Sequence, residues 1–188
     1  MRDDLHRGDG LTEPFRTVLL DCPWPENGGG KCQRGANKHY KTLKVRDIPR
    51  VIILGCKPFL EIADDSHCYM WATNNYLEAA LWTMGQIGFR YVTNVTWAKP
   101  RFGLGQYFRG QTEHLLFGVR GNGFVVKKGL AGYEATTLLH APLGVHSEKP
   151  EASYALIERR SFGPYLELFA RRERPGWTVW GEEVSADH

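Results

Sequence analysis

The sequence is short of almost everything that would place it in a membrane, a secreted scaffold or a metal centre. Its 188 residues include four cysteines, Cys22, Cys32, Cys56 and Cys68, with no Cys-x-x-Cys pair among them. That scatter argues against a zinc ribbon and a dense disulfide framework, and suits reduced thiols in a cytosolic or nuclear-type compartment. Cys32, His39, His67 and Cys68 could be combined into a ligand set, but their spacing matches no common pattern, so no metal is expected. No apolar run approaches the ~20 residues that cross a bilayer, so no membrane association is expected. Met1 to Pro14 is charged, has no apolar signal core and reads as a flexible tail. Repeats and low-complexity tracts are missing too. The formal net charge is only +3, too little to name a partner, so where the charge sits matters more than its sum.

What remains is a globular composition, 42% hydrophobic and 12% aromatic, at a length that suits one domain over 15–188. The most informative stretch is Asp21-Cys22-Pro23-Trp24. It follows Val18-Leu19-Leu20, an apolar run typical of a buried strand, and Pro23 stops that strand from continuing. The Asp therefore stands at a strand's carboxyl end, where open α/β sheets collect ligands. A carboxylate and a neighbouring peptide carbonyl can both accept hydrogen bonds from an amino group, and an indole can stack on a planar base. An exocyclic amine on a flat ring, such as adenine's, suits that set. Taken alone, the run reads by default as an ordinary Asp-x-Pro turn with a packed Trp.

Along the chain, Phe15 to Leu20 is the first strand. After Gly28-Gly29-Gly30, seven Lys and Arg between Lys31 and Arg50 face the single acid Asp47. That stretch reads equally as a solvated loop or as a phosphate-binding flap. An apolar run at Val51–Leu54 and a short helix near Pro58–Ala63 lead to a buried strand over Ser66–Thr73. Asn74 is placed to cap a helix whose stripe Leu77, Leu81, Met84 and Ile87 faces the core and which Gly88 ends. Strands follow at Tyr91–Ala98 and Glu113–Val119. Between Lys99 and Lys128 six basic residues face only Glu113, with Phe102, Tyr107, Phe108, Phe117 and Phe124 interleaved. Charge for a backbone and rings for bases is the recipe for a single strand or a flipped base; Phe117, within a strand, is assigned to the core. Ala135–His140 reads as a strand. Ser147 reads as a helix cap, with Pro150 in the first turn and Tyr154 and Ile157 inward. Tyr165–Ala170 and Trp177–Gly181 are the last strands. About seven strands with few helices between them predict a single α/β sheet, partly covered on both faces.

Several of these segments, taken together and in order, resemble the messenger-RNA adenosine methyltransferase family of the MT-A type, whose hallmark is Asp-Pro-Pro-Trp after the first strand. The resemblance covers roughly Arg16 to Val184 and is stronger for the compact prokaryotic and phage-type members that methylate adenine in DNA. It is carried by His39-Tyr40-Lys41-Thr42-Leu43, Tyr69-Met70-Trp71-Ala72-Thr73-Asn74, Gly88-Phe89-Arg90-Tyr91 and Thr96-Trp97-Ala98-Lys99-Pro100. It continues through Arg109-Gly110-Gln111-Thr112-Glu113, Gly118-Val119-Arg120-Gly121, Ser147-Glu148-Lys149-Pro150, Glu167-Leu168-Phe169-Ala170-Arg171 and Trp177-Thr178-Val179-Trp180-Gly181.

The resemblance implies a Rossmann-like class I fold, a mostly parallel sheet in the permuted, beta-class motif order. It implies transfer of a methyl group from S-adenosylmethionine to the N6 amine of adenine. Asp21 and the carbonyl of Cys22 would accept hydrogen bonds from that amine, Pro23 would shape the turn and Trp24 would pack on the base. Glu167 would contact the cofactor's ribose with Phe169 and Arg171 beside it, Ser147 and Lys149 would lie near its methionine end, and Glu182 stands where many members carry a ribose-contacting Asn. Tyr40, Lys99, Arg109 and Gln111 would flank substrate and cofactor. Cys22 replaces the usual first proline, and Thr112 stands where the RNA-modifying relative has Lys. The implied partner is nucleic acid, DNA ahead of RNA, with the target adenine flipped or single-stranded. The enzyme would be a monomer or homodimer in the cytoplasm of a prokaryotic or phage-infected cell. RNA adenosine is the alternative substrate. A non-catalytic nucleic-acid-binding subunit is the alternative class, against which the retained Asp21 argues.

Overall fold

The computed structural model describes residues 13–25, 42–56, 61–103, 107–122, 136–144 and 148–181. Its sheet is built outward from β1 (Phe15–Leu20), in which every residue but Arg16 is buried. β2 (Ile62–Thr73) lies parallel on one side of β1 and β6 (Tyr165–Leu168) parallel on the other, with β7 (Trp177–Trp180) parallel beyond β6. Beyond β2 comes β4 (Thr112–Arg120), antiparallel to it, then β3 (Arg90–Ala98), antiparallel to β4, and the short β5 (Leu138–His140), parallel to β3. The order is β5-β3-β4-β2-β1-β6-β7, with β4 alone running against the rest. This is the seven-stranded α/β sheet that the strand pattern predicts, mostly parallel as the family resemblance implies. Central strands buried on both faces read as continuous apolar runs rather than alternating ones, which is why Val18–Leu20 and Cys68–Ala72 stand out.

Strand parity sorts the core into two layers. Val18, Leu20, Cys68, Met70, Leu116, Leu166 and Leu168 face one helical layer. That layer holds α2 (Leu77–Gln86) and a helical stretch whose central turn is α1 (Ile48–Arg50), flanked by Val45–Asp47 and Val51–Gly55. Leu19, Tyr69, Trp71, Trp97 and Leu115 face the other side, where α3 (Glu151–Arg160) inserts Tyr154 and Ile157. Phe117 packs there against His67 and Tyr69, as a core ring does.

Some boundaries differ from the sequence reading. Ile62 and Ala63, read as the end of a short helix, begin β2. Asn74 does not cap α2, because its side chain is drawn across to Thr112 and His114 of β4, and Tyr76 takes the cap position with no side-chain bond. Leu81 is exposed, and Ala80 and Thr83 line the buried face with Met84 instead. Pro150 stands at the cap of α3 itself, one place before the first turn. The stop at Gly88 is as read. Its φ of +87° lets Gly88 N–H reach Gly85 O and Phe89 N–H reach Met84 O, the paired bonds that close a helix at glycine.

Candidate active site

Past the last rungs of the sheet, parity decides which side chains meet. Leu19, Trp97 and Leu115 face the α3 side, so Asp21, Lys99 and Glu113, each two residues away, continue that face as charge. Because β4 is antiparallel, its first residues lie at the same edge as the last residues of β2 and β3. Lys149, just ahead of α3, enters this row. Its Nζ lies 3.0 Å from Asp21 Oδ1 and 3.3 Å from Glu113 Oε1, while Lys99 Nζ lies 2.9 Å from Glu113 Oε2. Carboxylates and ammoniums alternate, Asp21–Lys149–Glu113–Lys99. Each amine also rests against an indole, Lys149 Nζ 5.7 Å from the centre of Trp71 and Lys99 Nζ 4.9 Å from that of Trp97.

The row fixes its own protonation. Burial pushes the Glu113 carboxyl up, but Lys149 and Lys99 outweigh it and hold the group below its usual range. Burial pushes the Lys149 ammonium down, and Asp21 and Glu113 outweigh that in turn, holding it above the ordinary lysine value. Both stay charged at neutral pH. The Asp21 side chain keeps 16% of its surface exposed against 8% for Lys149, so of this pair the carboxylate is the group a ligand reaches.

The turn after β1 is tight. Trp24 N–H donates to Cys22 O at 2.8 Å, and Leu43 N–H donates to Pro23 O at 3.0 Å. This turn carries the Trp24 indole to the α2 face, where Nε1 donates to Trp71 O at 3.0 Å and the ring stacks on Tyr76 at 5.7 Å. Tyr76 closes the arrangement by donating its hydroxyl to Pro25 O. Trp24 is only 4% exposed, so neither ring face is open to a base. The expected stacking role is corrected to an anchor that holds the turn. The Cys22 thiol is buried, and burial and then Asp21 push it well above its ordinary value. It stays protonated, and the chemistry on offer is its carbonyl, which keeps a second lone pair beside the one Trp24 uses.

Glu167, paired with Leu19 across β6 and β1, accepts the Tyr154 hydroxyl at 2.9 Å. Burial first, then the charge of Asp21, push its carboxyl up to about 7 against the help of that hydrogen bond. Tyr154 is gripped by Arg174, 3.4 Å from its ring centre, and edge-on by Trp177 at 5.5 Å; both oxygens of Glu151 hold Arg174. One residue past β6, Phe169 adopts a φ of 63°, left-handed backbone that a non-glycine holds only when its surroundings impose it. Ala170 N–H donates to Trp180 O at 3.0 Å, and Phe169 meets Trp180 edge-on at 5.8 Å. Phe169 and Arg171 are half-buried at this reversal.

Among the residues singled out from the sequence, the structure brings Asp21, Lys149 and Lys99 into one row and sets Glu167 close enough for Asp21 to act on its charge. Gln111 lies at the edge, exposed, with Nε2 donating to Lys99 O at 3.1 Å. Arg109 stands exposed farther along the same connection and outside the charged row. Tyr40, Ser147 and Glu182 lie outside the described residues. Glu113, Tyr154 and Trp71 were not singled out; the available signal was that Glu113 keeps the two-residue phase of Leu115. A groove of about 620 Å³ between Lys44–Arg46 and Glu78–Trp82 lies on the α2 side and takes in none of these groups.

The family model described as MT-A70 matches residues 15–183, well over half of the chain. The chain belongs to the MT-A70 family. It is 28% identical over 194 residues to the type II methyltransferase M.MunI of a Mycoplasma species, covering 90% of this chain and 78% of that enzyme. It is 28% identical over 185 residues to human METTL3, an N(6)-adenosine-methyltransferase catalytic subunit, covering 93% of this chain and 29% of that protein. An N6-methyladenosine RNA methyltransferase, MTA1 of Cryphonectria parasitica, is 28% identical over 183 residues, which cover 90% of this chain and 52% of its own. An MT-A70 domain is an adenine-N6 methyltransferase with S-adenosylmethionine as methyl donor. The residues present fit that cofactor. The Glu167 carboxyl, oriented by Tyr154, is an acceptor for hydroxyls; the half-buried Phe169 ring is a surface for an adenine; and Arg171, close enough to act on Lys149, adds a cation for a carboxylate.

Proposed function

We propose that this domain methylates the exocyclic N6 amine of adenine in DNA, with Asp21 and the carbonyl of Cys22 accepting hydrogen bonds from the amine's two N–H groups, and with the one proton the methylated nitrogen sheds passing to solvent. S-Adenosylmethionine, when bound, supplies a methyl group on a positively charged sulfur. The residues supply the rest. Adenine's amine is a weak nucleophile because its lone pair is delocalised into the ring. Acceptors on both hydrogens favour a pyramidal nitrogen and offset the positive charge that develops on it. Asp21 acts as a fixed acceptor: Lys149 holds one oxygen and leaves the other to the amine, so placement matters more than basicity. Glu167, Phe169 and Arg171 hold the cofactor in this reading, with Ser147 and Glu182 as further candidates, and Lys99, Gln111, Arg109 and Tyr40 flank the substrate.

The observation that carries the reading is the state of Asp21, part-exposed at the carboxyl edge of the sheet and paired with a buried lysine. The choice of DNA rests on the resemblance to the compact members and on the likeness along 78% of the Mycoplasma enzyme. The RNA alternative is favoured by METTL3 and MTA1 among the relatives. Buried free thiols at Cys22, Cys56 and Cys68 support a reducing compartment such as the cytoplasm. Incubation with labelled S-adenosylmethionine and DNA or RNA oligonucleotides, followed by nucleoside analysis, tests the assignment: N6-methyldeoxyadenosine is expected. Asp21→Ala is expected to abolish it while the protein keeps its fold by circular dichroism. Full activity in that variant, or product in RNA alone, would refute it.

A further inference from the structure

The methyltransferase site accounts for the root of the β3–β4 connection but not for its outer part. Beyond Ala98 and Thr112 the two legs stay paired: Lys99 N–H donates to Gln111 O at 2.9 Å and Gly103 N–H to Gly110 O at 2.7 Å. The hairpin therefore projects past the sheet edge, starting from Lys99 and Glu113, the two residues that form one end of the charged row. On it stand Phe102, Tyr107 and Phe108, exposed by 68%, 94% and 88%, the three most exposed aromatic residues among those described. A ring that exposed adds nothing to the core, so folding gives no reason for three of them in one short connection. Arg101 and Arg109 stand exposed beside them. The one acid in the segment, Glu113, is neutralised by Lys99 and Lys149. The outer hairpin thus offers ring faces and positive charge with no negative charge.

We propose that the outer part of this hairpin is a base-stacking site, in which Phe102, Tyr107 and Phe108 take up unpaired nucleobases next to the target while Arg101 and Arg109 meet the phosphates. The proposal rests on the adenine methyltransferase reading for what lies at the hairpin's root. A ring face stacks on any base, and arginines follow a backbone without regard to sequence. Bases inside a duplex have both faces occupied, so such a site favours a single strand or a locally opened one. An apolar protein partner would also cover exposed rings. The unopposed arginines favour the polyanion, and the experiment separates the two.

The test uses the full chain and a labelled single-stranded oligodeoxynucleotide with one adenine, against the same sequence as a duplex, with binding followed by fluorescence anisotropy. Joint Tyr107→Ala and Phe108→Ala substitution is expected to weaken single-strand binding at least tenfold and duplex binding less than threefold. It should leave the thermal midpoint and the S-adenosylmethionine titration unchanged. In the Phe108→Ala background, Tyr107→Trp is expected to hold affinity near that of Phe108→Ala alone, whereas Tyr107→Leu, which keeps apolar surface but no ring, should lose it. Equal losses on both substrates, an affinity unchanged by the alanines, or rescue by leucine would each overturn the proposal. So would wild-type self-association, by sedimentation, that the alanines abolish. Strand binding that depends on the rings but yields no methylated adenine would sink the catalytic reading and leave the stacking site standing. Methylation by variants that bind as tightly as wild type would do the reverse.

Discussion

The alternating row at the sheet edge makes each of its members dependent on the next. Glu113 is buried with two ammoniums on it, and removing its charge leaves Lys99 without this acid and Lys149 with Asp21 alone. Glu113→Gln is therefore expected to lower stability by roughly 3–5 kcal/mol, the range for breaking a buried pair. It should also cut methyl transfer more than tenfold as Lys149 and Asp21 shift; chemical denaturation and initial rates measure the two effects. The two buried acids respond to pH in opposite senses. Glu113 titrates below its unfolded value, so its contribution is present above about pH 4.3 and fades as pH falls through the lower folded value. Glu167 titrates at about 7 in the folded protein. There the folded state keeps a proton that the unfolded chain has released, and stability declines as pH rises from about 4.3 to 7. Glu167→Gln is expected to remove that decline, of which about 3 kcal/mol, at ~1.4 kcal/mol per unit of pKa, falls between pH 5 and pH 8, where denaturation would reveal it. Asp21 was legible from sequence because a proline ends its strand. Glu113 was not, since one acid heading a strand looks like any solvent-facing residue until the lysines that cover it are placed. Trp24 was legible as a ring but not in its direction, which the Cys22–Trp24 turn sets.

At the level of elements, backbone fit at the carboxyl edge is set by one glycine. A Cβ on Gly181, at the end of β7, would stand 2.0 Å from Ala170 O and 2.8 Å from Ala170 N. Neither backbone atom can move without disturbing the left-handed turn at Phe169. Gly181→Ala is therefore expected to lower the thermal midpoint markedly, at more than about 2 kcal/mol by analogy with overpacked cores. It should weaken S-adenosylmethionine in a calorimetric titration as well. Gly88→Ala, where only the positive φ is at stake and space is adequate, is expected to lose about 1 kcal/mol by denaturation and leave cofactor binding intact. The helix stop at Gly88 and the strands from β1 to β4 could be read from local pattern. The start of α2 could not, because the Asn74 side chain is claimed by a strand 38 residues away. The π-turn at Val51–Gly55 is formed by the apolar run Val51–Leu54, whose periodicity does not separate helix from strand.

Across the whole molecule, the catalytic edge and the binding surface divide the charge between them. The row from Asp21 to Lys99 balances to zero, so attraction for a polyanion comes from outside it, and Arg101, Arg109, Lys44 and Arg46 are among the exposed cations that can supply it. Binding of a single strand is expected to weaken steadily with salt, by ~0.7 in the logarithm of affinity per phosphate contact for each tenfold rise. Arg101→Ala with Arg109→Ala should flatten that slope by about 1.4, measurable by anisotropy between 50 and 300 mM salt.

The reversed direction of β4 has a consequence for how such a domain diversifies. A chain that leaves and re-enters the ligand edge through neighbouring rungs can lengthen or shorten the excursion without any strand changing partners. The entropy of closing a longer excursion grows only with the logarithm of its length. If the outer hairpin stacks bases as proposed, exchanging it between relatives above Lys99 and Glu113 is expected to carry target preference with the transplant and leave the chemistry with the host.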